Sequence, residues 1–333
     1  MTAQAMLHSK IADGMRPFDM LRDLLPLANL IELTFKAELD ATGSQIPQEM
    51  KRLARSGPLL WFMDIFSATP LLSGYVWMHN GQLVGNVSLI LENGQRGLWS
   101  ISNVAVHPDF RGHGIALRLM EAALQEAREK GAQLVVLEVR ADNAPAQRLY
   151  RDLGFQVYDS VYELRLPLHM WAQMEALPCP ALRQRRPQDW QGLYNLCKAA
   201  TPAKVQEVKP IFAGQYRLGL QQRLRSWFDD ISGRRDRDWI WEENGEIVAW
   251  LQVTGHYIQA AHRLHVIVHP RRRGSVEQQL LAAGLYMLRP FPARSIVSTI
   301  STSHPEALQA WQQAGFQTVR HLDQMVLELH NSG

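Results

Sequence analysis

Residues 106–120 read "VHPDFRGHGIALRLM", and residues 268–281 read "VHPRRRGSVEQQLL". The first stretch sets two glycines one residue apart, between a β-rich run and an amphipathic one. Glycine lets a backbone take positive φ and come close to a ligand. A helix that starts at such a turn presents unpaired N–H groups and the positive end of its dipole, a combination that holds phosphate. Alone, a Gly-x-Gly turn is equally explained by a steric need at a strand-to-helix corner. The second stretch opens with the same three residues and then loses its second glycine.

The two stretches lie 162 positions apart, and other correspondences keep nearly that offset. "WMHNGQLVG" (77–85) matches "WEENGEIVA" (241–249), with the Asn-Gly pairs 164 apart. "RLYRDLGF" (148–155) matches "QAWQQAGF" (309–316), with the Gly-Phe pairs 161 apart, and Arg-Pro-x-Asp recurs after 170. The common order implies two copies of one domain rather than a short solenoid repeat. Domains are expected over residues 1–170 and 175–333, joined around 169–181. A chain of 333 residues also exceeds what one core usually supports.

Composition narrows the class. An apolar share of 46%, a charged share of 20% and a net charge of +3 are ordinary for a globular protein. Such a balance argues for neither a nucleic-acid nor a membrane partner. Cys179 and Cys197 are the two cysteines, too few for a disulfide framework or a Cys-rich metal site. His107 and His113 lack partners at metal-ligand spacing, so no metal is expected. No signal-like or membrane-spanning apolar run appears, which gives a cytoplasmic expectation. Oligomeric state is not readable.

Each copy needs one structural reading. Apolar spacing from Leu21 to Leu30 predicts an early helix. Asn80-Gly81 between β-rich runs predicts a type I′ hairpin over 73–91. "LWSISNVAV" (98–106) reads as a strand, and the spacing of Leu117, Met120, Leu124 and Ala127 as a helix ended by Gly131. "AQLVVLEV" (132–139) is a buried strand, 144–153 a helix stopped at Gly154, and "VYELRLPL" a final strand. This order predicts an α/β fold, a mixed sheet with helices on its faces.

Residues 98–155 resemble the acetyl-CoA signature of the GNAT superfamily of N-acetyltransferases. The Arg/Gln-x-x-Gly-x-Gly/Ala pattern is Arg111, Gly112, His113, Gly114, Ile115 and Ala116. A second signature is present as Asn143, Ala146, Leu149, Tyr150, Gly154 and Phe155. The resemblance implies two tandem GNAT folds and acetyl-CoA as cosubstrate. It implies that the backbone of Arg111 to Ala116 holds the pyrophosphate and that Val104, Ala105 and Val106 pair with the pantetheine arm. The Val106 N–H would polarise the thioester carbonyl.

The resemblance also implies that Tyr150 protonates the departing thiolate; read from its position alone, Tyr150 is a packing aromatic. Many members carry a Glu on the strand before the turn, and 99–106 has none. Glu138 on the next strand is the candidate base, alternating away from Val135, Leu137 and Val139. A salt-bridged surface Glu and a water relay stay open beside it. Asn143 either binds the cosubstrate or caps the following helix.

In the second copy Gly114 becomes Val276, whose β-branch resists positive φ and would crowd a phosphate. Glu138, Asn143 and Tyr150 become Thr299, His304 and Trp311. The second half is therefore expected to keep the fold and lose the chemistry, as tandem members of the superfamily do. The reading is an N-acetyltransferase acting on a small-molecule or peptide amine from its first half. The alternative is a non-catalytic acyl-CoA-binding module. A third idea, RNA binding through Arg271–Arg273 and "RQRRP" (183–187), competes with the commoner fate of solvated or paired loop arginines. Trp227, Trp239, Trp241 and Trp250 read as core rather than as a base-stacking platform.

Overall fold

Asn80 and Gly81 take φ of 49° and 78°, and Asn244 and Gly245 take 51° and 80°. Two positive φ values in succession are what a type I′ turn requires, and Asn-Gly supplies them at least cost. Both copies thus fold around the same hairpin. The computed structural model describes residues 13–36, 46–55, 73–92, 97–171, 174, 176–217, 233–257 and 261–329. Trp227 lies outside them.

The described residues fall into two compact units: one from Met1–Glu138, Ala144–Gln156 and Met325–Gly333, the other from Val139–Asn143 and Val157–Gln324. In the first, strands β1 (Gly14–Pro17), β2 (Ser73–His79), β3 (Gln82–Leu91), β4 (Leu98–Val106) and β5 (Leu134–Arg140) lie in that order. All neighbours are antiparallel except β4 and β5. Helix α1 (Met20–Thr34) starts at Asp19, whose side chain accepts from the N–H groups of Leu21 and Arg22. The buried Asp23 on α1 takes two 2.6 Å bonds from Arg16, fixing the helix to β1. A short α2 (Ile46–Ala54) follows, and α3 (Ile115–Glu129) buries Ile115, Leu119, Met120, Ala123, Leu124 and Ala127, a helical stripe facing the sheet. Helix α4 (Ala144–Asp152) ends at Gly154, φ 93°.

The second unit repeats this plan with strands β6 (Gln156–Leu166), β7 (Leu182–Gln184), β8 (Arg234–Glu243), β9 (Glu246–His256), β10 (His262–Val268) and β11 (Ile296–Ser301), in spatial order β6-β11-β10-β9-β8-β7. Its strands β10 and β11 are parallel, as β4 and β5 are in the first unit. Its helices include α5 (Leu168–Trp171), α6 (Trp190–Ala200), α7 (Ala203–Val208), α8 (Glu277–Leu288) and α9 (Pro305–Gln313).

The last strand of the first sequence half sits almost wholly in the unit built mainly from the second, and the last strand of the second half begins in that unit and ends in the other. Strand β6 pairs antiparallel with β11, from Ile296 opposite Leu166 to Ser301 opposite Val161. Strand β12 (Gln317–Glu328) runs beside β6, where Arg320 bonds Glu163 at 2.7 Å and Ser160 bonds Asp323 at 2.7 Å. Its final residues cross into the first unit, where the Leu329 N–H donates to Gln133 O at 2.8 Å. The sequence pattern marks the strands and gives no sign of this exchange, because a strand's alternation does not name its neighbour.

Candidate active site

Strand β4 carries the first feature of the site. Its parallel ladder with β5 runs from Leu98 opposite Leu134 to Ile101 opposite Leu137. Just beyond, Asn103 takes φ 51°, and the β3–β4 register shifts between Asn86 and Ser88. This is a bulge, which bends a strand and re-aims the residues past it. Asn86, 0% exposed, holds it by donating from Nδ2 to Asn103 O at 2.9 Å and to Ser88 Oγ at 3.2 Å. Residues 104–106 come directly after the bulge. The Ala105 side chain packs under Leu30, Val76, Met78 and Leu83, while Val104 and Val106 are half-buried. Asn86 and Asn103 were not singled out in the sequence. The available signal was an Asn, tolerant of left-handed backbone, inside a β-rich run.

Strand β4 is followed by His107, whose ring accepts from the Asp109 N–H at 3.3 Å and packs edge-on against Phe110. Then comes the glycine turn. Gly112 takes φ 81° and Gly114 φ 73°, conformations an L side chain resists. A Cβ at either position would meet nothing within 4 Å, so the space outside both is open. Arg111, Gly112, His113 and Gly114 are exposed, Ile115 is buried and Ala116 is half-buried. Arg111 folds back to donate from Nε to Val106 O at 3.2 Å. The first helical bond is Arg118 N–H to Gly114 O, at 3.1 Å. Among the described residues no acceptor meets the N–H groups of Gly112 to Leu117. A row of donors at the positive end of a 15-residue helix is a ready anion site.

Tyr150 is 6% exposed on α4 and meets Phe155 edge-on, with ring centroids 6.1 Å apart. Burial pushes its hydroxyl up to about 12, so it stays protonated at any physiological pH. Glu138 is exposed on β5, turned away from the buried Val135, Leu137 and Val139. Asn143 precedes α4, and its N–H closes a turn onto Arg140 O at 3.0 Å. His113 is exposed in the loop.

The second copy preserves the frame closely. His269 accepts from Arg271 N–H at 3.3 Å, as His107 does from Asp109, and Gly274 keeps φ at 80°. Val276 corrects the sequence expectation. It adopts φ −123° and is 1% exposed, buried in the core rather than crowding a cradle. What fills the cradle is Glu277, 2% exposed at the position of Ile115. Its carboxylate accepts from the backbone N–H groups of Gly274, Val276 and Glu277 itself, and sits 2.9 Å from His304 Nε2. Burial opposes its ionisation. The His304 and backbone hydrogen bonds outweigh that and hold the carboxyl below its ordinary value. An internal carboxylate therefore stands where the first copy leaves donors open. Trp311 is fully buried in place of Tyr150.

The other candidate surfaces resolve plainly. Arg271 pairs with Glu246, Arg272 with Glu243 at 2.9 Å, Arg185 with Asp238 at 2.9 Å, and Arg183 with Asp189 and Glu242. Arg273 donates to the carbonyls of Ser303 and Ala200. Trp241 and Trp250 are buried, and Trp239 packs against the core. Among the described residues no three metal-ligating side chains converge, and no helix is long and apolar enough to cross a membrane.

Residues 35–155 match the family described as Acetyltransferase (GNAT) family. A putative [ribosomal protein bS18]-alanine N-acetyltransferase of Bacillus subtilis is 38% identical over 102 residues, 29% of this chain and 64% of its own length. The chain thus spans less than two thirds of that relative. A GCN5-related N-acetyltransferase structure from Sphaerobacter thermophilus superposes with TM-score 0.61 at 18% identity, covering 94% of this chain and 95% of the other. A tandem GNAT protein from the clavulanic acid biosynthesis pathway gives 0.60 at 20%, covering 96% and 99%. Both share the mixed α/β fold.

Proposed function

We propose that the first half, whose residues 35–155 match the Acetyltransferase (GNAT) family, is an acetyl-CoA-dependent N-acetyltransferase acting on a primary amine. The observation that carries this reading is the open donor row from Gly112 to Leu117, under two left-handed glycines with clear space outside them. Those N–H groups would hold the pyrophosphate of acetyl-CoA. The backbone of Val104 to Val106, past the bulge that ends the β5 ladder, is placed to pair with the pantetheine arm as an added strand. The Val106 N–H would polarise the thioester carbonyl.

In the reaction the amine nitrogen bonds to the carbonyl carbon and the carbon–sulfur bond breaks. The amine loses a proton and the sulfur gains one. Glu138, open to solvent on β5, would take the first proton directly or through water. Tyr150 would supply the second. A phenol held near 12 is a weaker acid than a thiol at about 8.5. Its help therefore grows as charge builds on sulfur, as a strengthening hydrogen bond, rather than by early proton transfer. The second half, with Glu277 in its own cradle, would serve as scaffold. The acceptor would be a peptide or small-molecule amine.

Coenzyme A release measured across an amine panel tests the reading, with Tyr150→Phe alongside. Turnover unchanged in that variant would remove the acid role. Coenzyme A-dependent thermal stabilisation without turnover on any amine would favour a non-catalytic acyl-CoA-binding module.

A further inference from the structure

The second unit contains a cavity of about 410 Å³ that the acetyl-transfer chemistry does not use. Along β8 the side chains alternate, so Arg235, Arg237 and Trp239 share a face and all line the cavity. Arg289, just past the end of α8, lines it from the helix side. Among the described residues that line it there is no Asp or Glu. Asp236 and Asp238, which flank Arg237 on the same strand, alternate to the other face, where they pair with Arg234 and Arg185. Among the described residues neither Arg237 nor Arg289 has a carboxylate partner. The C-terminal end of α8 contributes only about half a negative charge, too little to balance the guanidiniums of Arg237 and Arg289.

The walls are apolar and flat. Phe291 lies against the backbone of β9 at Gly255, where a Cβ would come within 2.4 Å of its ring, so only glycine admits this wall. Trp239 adds a second flat side chain to the lining.

We propose that this cavity binds an organic anion with an aromatic body, a carboxylate or phosphate ester. The anionic group would sit on Arg237 and Arg289, and the ring against Phe291 and Trp239. Charge-assisted bonds from guanidinium forks fix such heads, while apolar walls select the body. The cavity lies wholly in the second unit, so the proposal stands independently of the first half's activity.

Calorimetric titration of the full chain with 2-naphthoate and with 2-naphthyl phosphate tests it, and comparing the two identifies the preferred head. Neutral 2-naphthylmethanol and cationic 2-naphthylmethylamine are the controls. The expected result is one site per chain for an anion, weakened by salt, with the controls at least tenfold weaker. Arg237→Gln with Arg289→Gln should reduce anion affinity at least tenfold, and Trp239→Phe severalfold. Neither set should change coenzyme A binding or the unfolding midpoint. Anion binding undiminished in the double variant, equal binding of the neutral probe, or no binding at millimolar concentration would each overturn it.

Discussion

Glu277→Ala removes the carboxylate from the second cradle while leaving the fold's framework in place. Three backbone N–H groups and His304 Nε2 lose their partner in a site that is 2% exposed. Each stranded buried donor costs about 1–3 kcal/mol, and water entering the vacated space offsets part of the sum. The expected net loss is about 3–5 kcal/mol, the range for breaking one side of a buried pair. Glu277→Gln keeps an acceptor oxygen without the charge and should cost about 1–2 kcal/mol. Urea unfolding at pH 7 measures both. The folded carboxyl lies below its ordinary 4.5, so its contribution is present above that value and fades as pH falls through the lowered one. The gap between wild type and Gln variant should therefore narrow in acid. An Ala variant within about 1 kcal/mol of wild type would refute the internal-anion account.

Four other outcomes are expected of the first half. Tyr150→Phe should lower kcat by roughly 10²-fold or more with little change in coenzyme A affinity. Because Tyr150 is held up to about 12, the wild-type pH–rate profile should show no Tyr150 downturn between pH 8 and about 10, which initial rates over that span will check. Glu138→Gln should lower kcat/KM roughly tenfold or more and remove an acidic limb from the same profile, whereas a water relay would leave both intact. Gly114→Val forces a β-branched residue toward φ 73° at a cost of about 1–2 kcal/mol or more. It should also place a side chain in the open space over the donor row, so calorimetry should show coenzyme A affinity falling at least tenfold.

The elements around the site were legible because each is fixed by local chemistry. Asn-Gly calls for a hairpin, and Gly112 and Gly114 for a left-handed corner opening a helix. The alternation of Val135, Leu137 and Val139 turns Glu138 outward. Three features were not legible. The bulge depends on Asn86 reaching Asn103 across the β3–β4 ladder, a contact no single strand announces. The fate of Val276 depends on whether the corner relaxes to negative φ once its glycine is gone, which it does. The carboxylate of Glu277 was visible as a residue, but its role needs the three-dimensional approach of Gly274 and His304. A charged residue replacing Ile115 at the first helical position was the clue available.

The strand exchange sets a schedule for synthesis. Residues 325–329 finish the first unit, where Gly154 packs against Leu327, yet they are made only after nearly all of the second. At typical elongation rates the gap between residues 156 and 325 lasts roughly ten to thirty seconds. During that time the edge of β5 lacks its partner, and an open edge is where nascent chains stick to one another. A chain that stops within the second half would leave that edge of β5 unpaired.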